Sequence, residues 1–148
     1  MSTLDILRHD DHLDPAALLG AIPYCRYLGI AAQVDGERIS LHLPYAERLI
    51  GNVVLPALHG GVIGSLLETA AIVQVLWEAR ATRLPKPVDI TIDYLRSGRP
   101  VDSFAQARIA KLGRRVVNVH AEMWQDDENK PIAALRGHFL LAANSPEE

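Results

Sequence analysis

The chain has 148 residues, 49% of them hydrophobic, enough for one domain with a sizeable core and cramped for two. A net charge of −3 and a pI near 6.0, with no basic run, argue against a nucleic-acid surface. The single cysteine, Cys25, cannot form an internal disulfide and fits a reducing cytoplasm, and Asp5 and Arg8 interrupt the apolar stretch that a signal peptide would need.

Residues 1 to 13 are polar and unpatterned. Their His9-Asp10-Asp11-His12 run carries metal-ligand types, but nothing nearby completes a shell, so no metal is expected. Asp14-Pro15 reads as a helix start, an N-cap acceptor followed by proline at the first helical position, with the helix ending near Ile22-Pro23. Cys25 has no neighbouring histidine or basic cluster and reads as a buried, inert thiol. From Leu28 to Leu43 the period is two, and Asp35-Gly36 stands where the turn of a β-hairpin belongs. Pro44 to Gly51 has room for one helical turn, and Asn52 to Pro56 leads onward.

The stretch Leu58 to Trp77 organises the chain. It is long enough for a helix of roughly 30 Å, and Glu68 is its one formally charged side chain. A helix apolar on nearly all sides is buried by its own domain, and a lone buried carboxylate costs several kcal/mol unless it is paired, solvated or used. A membrane span has the right length, but Glu68 and Gln74 interrupt it and the flanking segments alternate like soluble strands. His59-Gly60-Gly61 opens the helix, where bare N–H groups and the dipole would receive an anion or oxyanion.

Leu84-Pro85-Lys86-Pro87 ends the helical region. In the next strand Val88, Ile90, Ile92 and Tyr94 share one face, opposite Asp89, Thr91 and Asp93. Further strands are expected from Val101 to about Lys111, after Gly113-Arg114, and after the loop Asp126 to Lys130. Two strands, a long apolar helix and four strands in antiparallel meander make an α+β chain. A curved antiparallel sheet wrapped around one long central helix, the hot-dog architecture, is the simplest arrangement. The expected division is a tail and short helix over 1–27, the main domain over 28–143 and a tail over 144–148.

A strip of little side-chain bulk runs from Gly60 and Gly61 through Gly64 and Ser65 to Glu68. It suits either close packing or a groove in which a ligand lies between the helix N-terminus and the carboxylate. His59 reads as a cap or as a participant in chemistry, and Glu68 as a catalytic acid or as a carboxylate satisfied across a subunit boundary. Ser65 lacks the flanking glycines of a nucleophile elbow.

His59-Gly60-Gly61-Val62-Ile63 with an acid at Glu68 resembles the signature of hot-dog acyl-CoA thioesterases of the phenylacetic-acid-degradation and hydroxybenzoyl-CoA types. Val88 to Arg96 is similar to that family's strand after the helix, and the resemblance runs from about Leu28 to Ala142. It implies an acyl-CoA substrate, no cofactor, and a homodimer, often paired into a tetramer, with sites built across subunits. It also implies Gly60 N–H as the donor to the thioester carbonyl, Glu68 as general base or nucleophile, His59 as an orienting group, and Asn52 as the amide that positions water or carbonyl. Gly61, Ser65 and Thr69 would line the substrate, and Arg96, Arg99 and Arg114, beside strand turns, would meet the coenzyme A phosphates, although solvated turn residues read the same way. The chain departs from the family pattern in four places: Asn52 is one residue further from the histidine, Glu68 stands where many relatives carry Asp, and Ile72 and Pro87 replace hydroxyl residues. The competing reading in another class is a catalytically silent acyl-CoA-binding module. A hot-dog dehydratase would want a histidine where Val54 stands.

Overall fold

The computed structural model describes Leu4, residues 7–9 and residues 12–142, so the His9-Asp10-Asp11-His12 run falls partly outside the described residues. Two-residue strands β1 (Arg8–His9) and β2 (His12–Leu13) pair with each other ahead of helices α1 (Pro15–Ala21) and α2 (Pro23–Leu28). Asp14 caps α1 as its side-chain oxygen accepts from the N–H groups of Ala16 and Ala17. The second helix was not visible in the pattern. Pro23, which ends α1 by lacking an N–H, also opens α2 at a position where no N–H is needed. Leu13, Leu18, Leu19 and Cys25 bury into the same core as the sheet, so this segment packs with the domain. Burial raises the Cys25 thiol above its ordinary pKa, against a smaller opposing effect of a hydrogen bond with Thr69.

Strands β3 (Ala31–Asp35) and β4 (Arg38–Leu43) form the expected hairpin, with Gly36 at φ +60° in its turn. A 3₁₀ turn at Glu47–Leu49 and the short strands β5 (Ile50–Asn52) and β6 (Ala57–Leu58) lead into α3 (Gly60–Glu78). Strands β7 (Lys86–Tyr94), β8 (Ser103–Leu112), β9 (Val116–Trp124) and β10 (Ala133–Leu140) complete one antiparallel six-stranded sheet in the order β3-β4-β8-β9-β10-β7. The sheet packs on α3 chiefly through β8, β9 and β4. Val117, Val119, Ala121 and Met123 of β9, and Leu135 and Phe139 of β10, are buried. Each buried aliphatic side chain contributes about 1.5–3 kcal/mol of transfer free energy. The α+β hot-dog fold is what the chain adopts.

The expected meander holds for β8, β9 and β10 and fails for β7, which pairs with β10 at the far edge through contacts such as Leu135↔Ile92. The linker after β7 does not turn back as a hairpin loop. Leu95 and Arg96 donate their N–H groups to Ile132 O at the start of β10. Arg99 then exchanges two hydrogen bonds with the buried Gln125 side chain at the end of β9, after which β8 begins. The linker thus crosses the ends of β10 and β9. With β4 and β9 occupying both edges of β8, β7 does not pair with the strand that follows it and takes the outer edge of β10.

Candidate active site

His59 is the N-cap of α3, and its Nδ1 accepts from Gly61 N–H at 2.9 Å. Accepting there places the ring proton of the neutral imidazole on Nε2. The His59 N–H donates to Leu49 O at 2.9 Å, and a Cβ on Gly51 would come within 2.6 Å of the His59 Cα, so only glycine allows β5 to lie this close to the cap. Of the paired glycine amides, the Gly61 N–H is therefore used by the cap. The Gly60 N–H finds no acceptor among the described residues and remains available at the positive end of a 19-residue helix.

Beside Gly60 lies a cleft of about 400 Å³ bounded by Leu58, Ile63, Tyr94, Arg96 and the Ser97-Gly98 linker. Tyr94 was expected only as a member of one face of its strand, with Val88, Ile90 and Ile92. Its Oη donates to Gly60 O at 3.0 Å, and its ring stands 3.5 Å from where a Gly60 Cβ would be. Its place in the alternation of β7 was legible, but its distance from the helix mouth in sequence hid the contact. Gly64 is packed as tightly, since a Cβ there would meet Ile92 Cδ1 at 3.0 Å. One flank of the small-residue strip is thus close packing against β7, as the plainer reading had it.

The other flank is open. Gly61 is exposed and Ser65, Glu68 and Thr69 are half-buried, whereas Val62, Ile63, Leu66 and Leu67 on the opposite side are buried. The Glu68 carboxylate has no hydrogen bond or ion pair to any described residue, and it is not sealed in the interior. Ser65 Oγ donates to Gly61 O at 2.7 Å and Thr69 Oγ1 to Ser65 O at 2.6 Å. Both hydroxyl protons are turned back onto the preceding turn, which leaves only lone pairs, and the Thr69 oxygen also meets the Cys25 thiol.

Eight residues separate Gly60 from Glu68, a rise of about 12 Å at 1.5 Å per residue. One chain alone therefore does not bring its own free amide and its own carboxylate to a single carbonyl. Asn52 is committed to its loop, its Oδ1 accepting from Val54 and Leu55 N–H, which leaves Nδ2 free. Arg96 lines the cleft, while Arg99 is ion-paired with Asp126. Arg114 sits in the β8–β9 turn, at the opposite end of the sheet from Tyr94 and the helix mouth.

A curved antiparallel sheet around a helix that keeps a free amide at its mouth and a lone carboxylate on its open strip defines a hot-dog protein with the parts for acyl chemistry. Residues 55–132 match the family model of the thioesterase superfamily, more than half of the chain. The medium/long-chain acyl-CoA thioesterase YigI of Escherichia coli K12 is 26% identical over 135 residues, covering 81% of this chain and 86% of YigI. A crystal structure of a Chromobacterium violaceum protein is 40% identical, covers 88% of this chain and 90% of that one, and superposes with a TM-score of 0.71. The BH2602 protein of Bacillus halodurans, solved with CoA, is 21% identical with a TM-score of 0.75, covering 84% and 82% of the two chains. The chain belongs to the thioesterase superfamily.

Proposed function

We propose that the chain is an acyl-CoA thioesterase, converting acyl-CoA and water to a carboxylic acid and free coenzyme A. The observation that carries this reading is the half-buried Glu68 carboxylate on a strip of small residues, which, like the Gly60 N–H, has no partner among the described residues. Both groups are held by one rigid helix but stand about 12 Å apart, so the site is completed by a second copy whose helix runs antiparallel. Gly60 of one subunit then faces Glu68 of the other, and the assembly is a homodimer, or a homotetramer built from two of them. The open strip and the exposed edge strand β7, with Val88 at 63% exposure, suit such a partner.

In this site the Gly60 N–H, backed by the helix dipole, stabilises the oxyanion that forms on the thioester carbonyl. Glu68 takes a proton from the attacking water, or attacks the carbonyl itself to give a mixed anhydride that water then opens. The thiolate leaves with little acid assistance. His59 presents Nε2–H at the mouth and Asn52 its Nδ2 for water or carbonyl, while Gly61, Ser65 and Thr69 line the strip. Arg96 is the best placed of the three arginines for the coenzyme A phosphates, since it lines the cleft and carries no ion pair among the described residues. The named activity of YigI and the CoA bound to BH2602 support the substrate class. A free, buried Cys25 fits a cytoplasmic setting.

Thiol release from a panel of acyl-CoAds of differing chain length and aromaticity, followed with a free-thiol reagent, tests the proposal. Release that vanishes in Glu68→Gln with an intact fold supports it. Turnover unchanged in that variant removes Glu68 from the mechanism, and binding without release establishes the silent acyl-CoA-binding module instead.

A further inference from the structure

On the other side of α3 from the open strip, the sheet itself has a gap. Strands β4 and β8 pair only from Ser40↔Gln106 to Leu43↔Ser103, so Arg38 and Ile39 have no partner on β8 and the two strands diverge. A cavity of about 570 Å³ opens there, in the range of small-molecule sites. Gln74 of α3 lines it together with Ile39, Ala107 and Leu135. Gln74 is 3% exposed, and its Nε2 donates to Glu78 Oε1 at 2.6 Å and to Glu37 O at 3.4 Å. Its Oε1 has no donor among the described residues, and a buried acceptor left in that state calls for one.

The charges around this carboxamide are unbalanced. Three guanidiniums reach the cavity: Arg38 is paired with Glu128 and Arg136 with Asp93, while Arg108, held to His120 Nδ1 at 3.0 Å, keeps its charge. Against that one cation stand three exposed carboxylates, Glu37, Glu78 and Glu122, which line the same cavity and have no ion pair among the described residues, an excess of two negative charges. Trp124 adds an aromatic face at the same opening.

We infer that this cavity binds a small aliphatic diamine. One ammonium donates to Gln74 Oε1 between the carboxylates of Glu37 and Glu78, the methylenes lie along Ile39, Ala107 and Leu135, and the second ammonium sits by Glu122 and Trp124. The inference is independent of the thioesterase reading, because none of these residues belongs to the Gly60–Glu68 strip.

Titration calorimetry on the full chain with 1,5-diaminopentane, and with 1,5-pentanediol as the uncharged counterpart, tests it. The expected result is one diamine per chain, weakened by salt, with no measurable heat from the diol. Affinity should fall at least tenfold in Glu78→Gln and in the surface variant Glu122→Gln, and stay unchanged in Glu68→Gln. Absence of binding, equal binding of the diol, insensitivity to both cavity variants, or loss of binding in Glu68→Gln would each overturn it.

Discussion

The two halves of α3 belong to one continuous helix and have opposite surroundings. From Ala70 to Leu76 every residue but Ile72 is buried, and the helix is enclosed by sheet and neighbouring segments. From Gly60 to Thr69 only the Val62, Ile63, Leu66 and Leu67 side is enclosed, and the other side is small, polar and open. The difference shows how one helix serves two ends. The enclosed half anchors it with apolar burial, and that anchorage lets the open half hold a lone carboxylate and a free amide at fixed positions.

Four measurements break or sharpen that contrast. The largest effect belongs to the open half. Glu68→Gln should lower kcat for acyl-CoA hydrolysis by about 10²–10⁴-fold, the usual worth of a general base, while leaving the thermal midpoint near that of the parent. Comparable losses of stability and of activity would mean that Glu68 is structural and that the halves do not differ in kind. In the enclosed half, Leu76→Ala should cost about 2–5 kcal/mol in urea unfolding, because Leu76 is fully packed and the cavity relaxes only in part.

Tyr94→Phe removes a hydroxyl that ties the open half to β7. About 0.5–1.5 kcal/mol should be lost, together with a change in KM, since the ring that walls the cleft is kept and the Gly60 carbonyl loses its tether. The smallest effect is a control away from the helix. The Tyr45 N–H, and next His42 Nε2, hold the exposed Asp102 carboxylate below its ordinary pKa. A carboxyl lowered in the folded state stabilises the fold above its unfolded pKa, and that stability is lost as pH falls through the folded value. Unfolding midpoints followed from about pH 7 to about pH 2 should therefore separate Asp102→Asn from the parent at the neutral end and converge at the acid end, with turnover at neutral pH unchanged.

How far the sequence reached differs from element to element, for physical reasons that can be named. The Asp14 cap, the Asp35-Gly36 turn, the His59 start of α3 and the strands β9 and β10 after their turns all depend on residues within a few positions of one another, and each stands where it was expected. The isolation of Glu68 on an apolar helix is likewise a local property, because a 3.6-residue period fixes which neighbours it can meet.

Contacts between distant segments decided the rest. The place of β7 beside β10 depends on a linker anchored to Ile132 and Gln125. The burden on His59 of capping Gly61 leaves Gly60 as the free amide, and Tyr94 meets that residue from 34 positions away. Periodicity and capping are written within a single turn or strand, so the chain alone determined its central helix, the strands of its main sheet and its lone acid. Strand partners and the orientation of polar groups at the helix mouth arise only when segments far apart compete for the same edge or the same hydrogen bond, and the tertiary structure decided those.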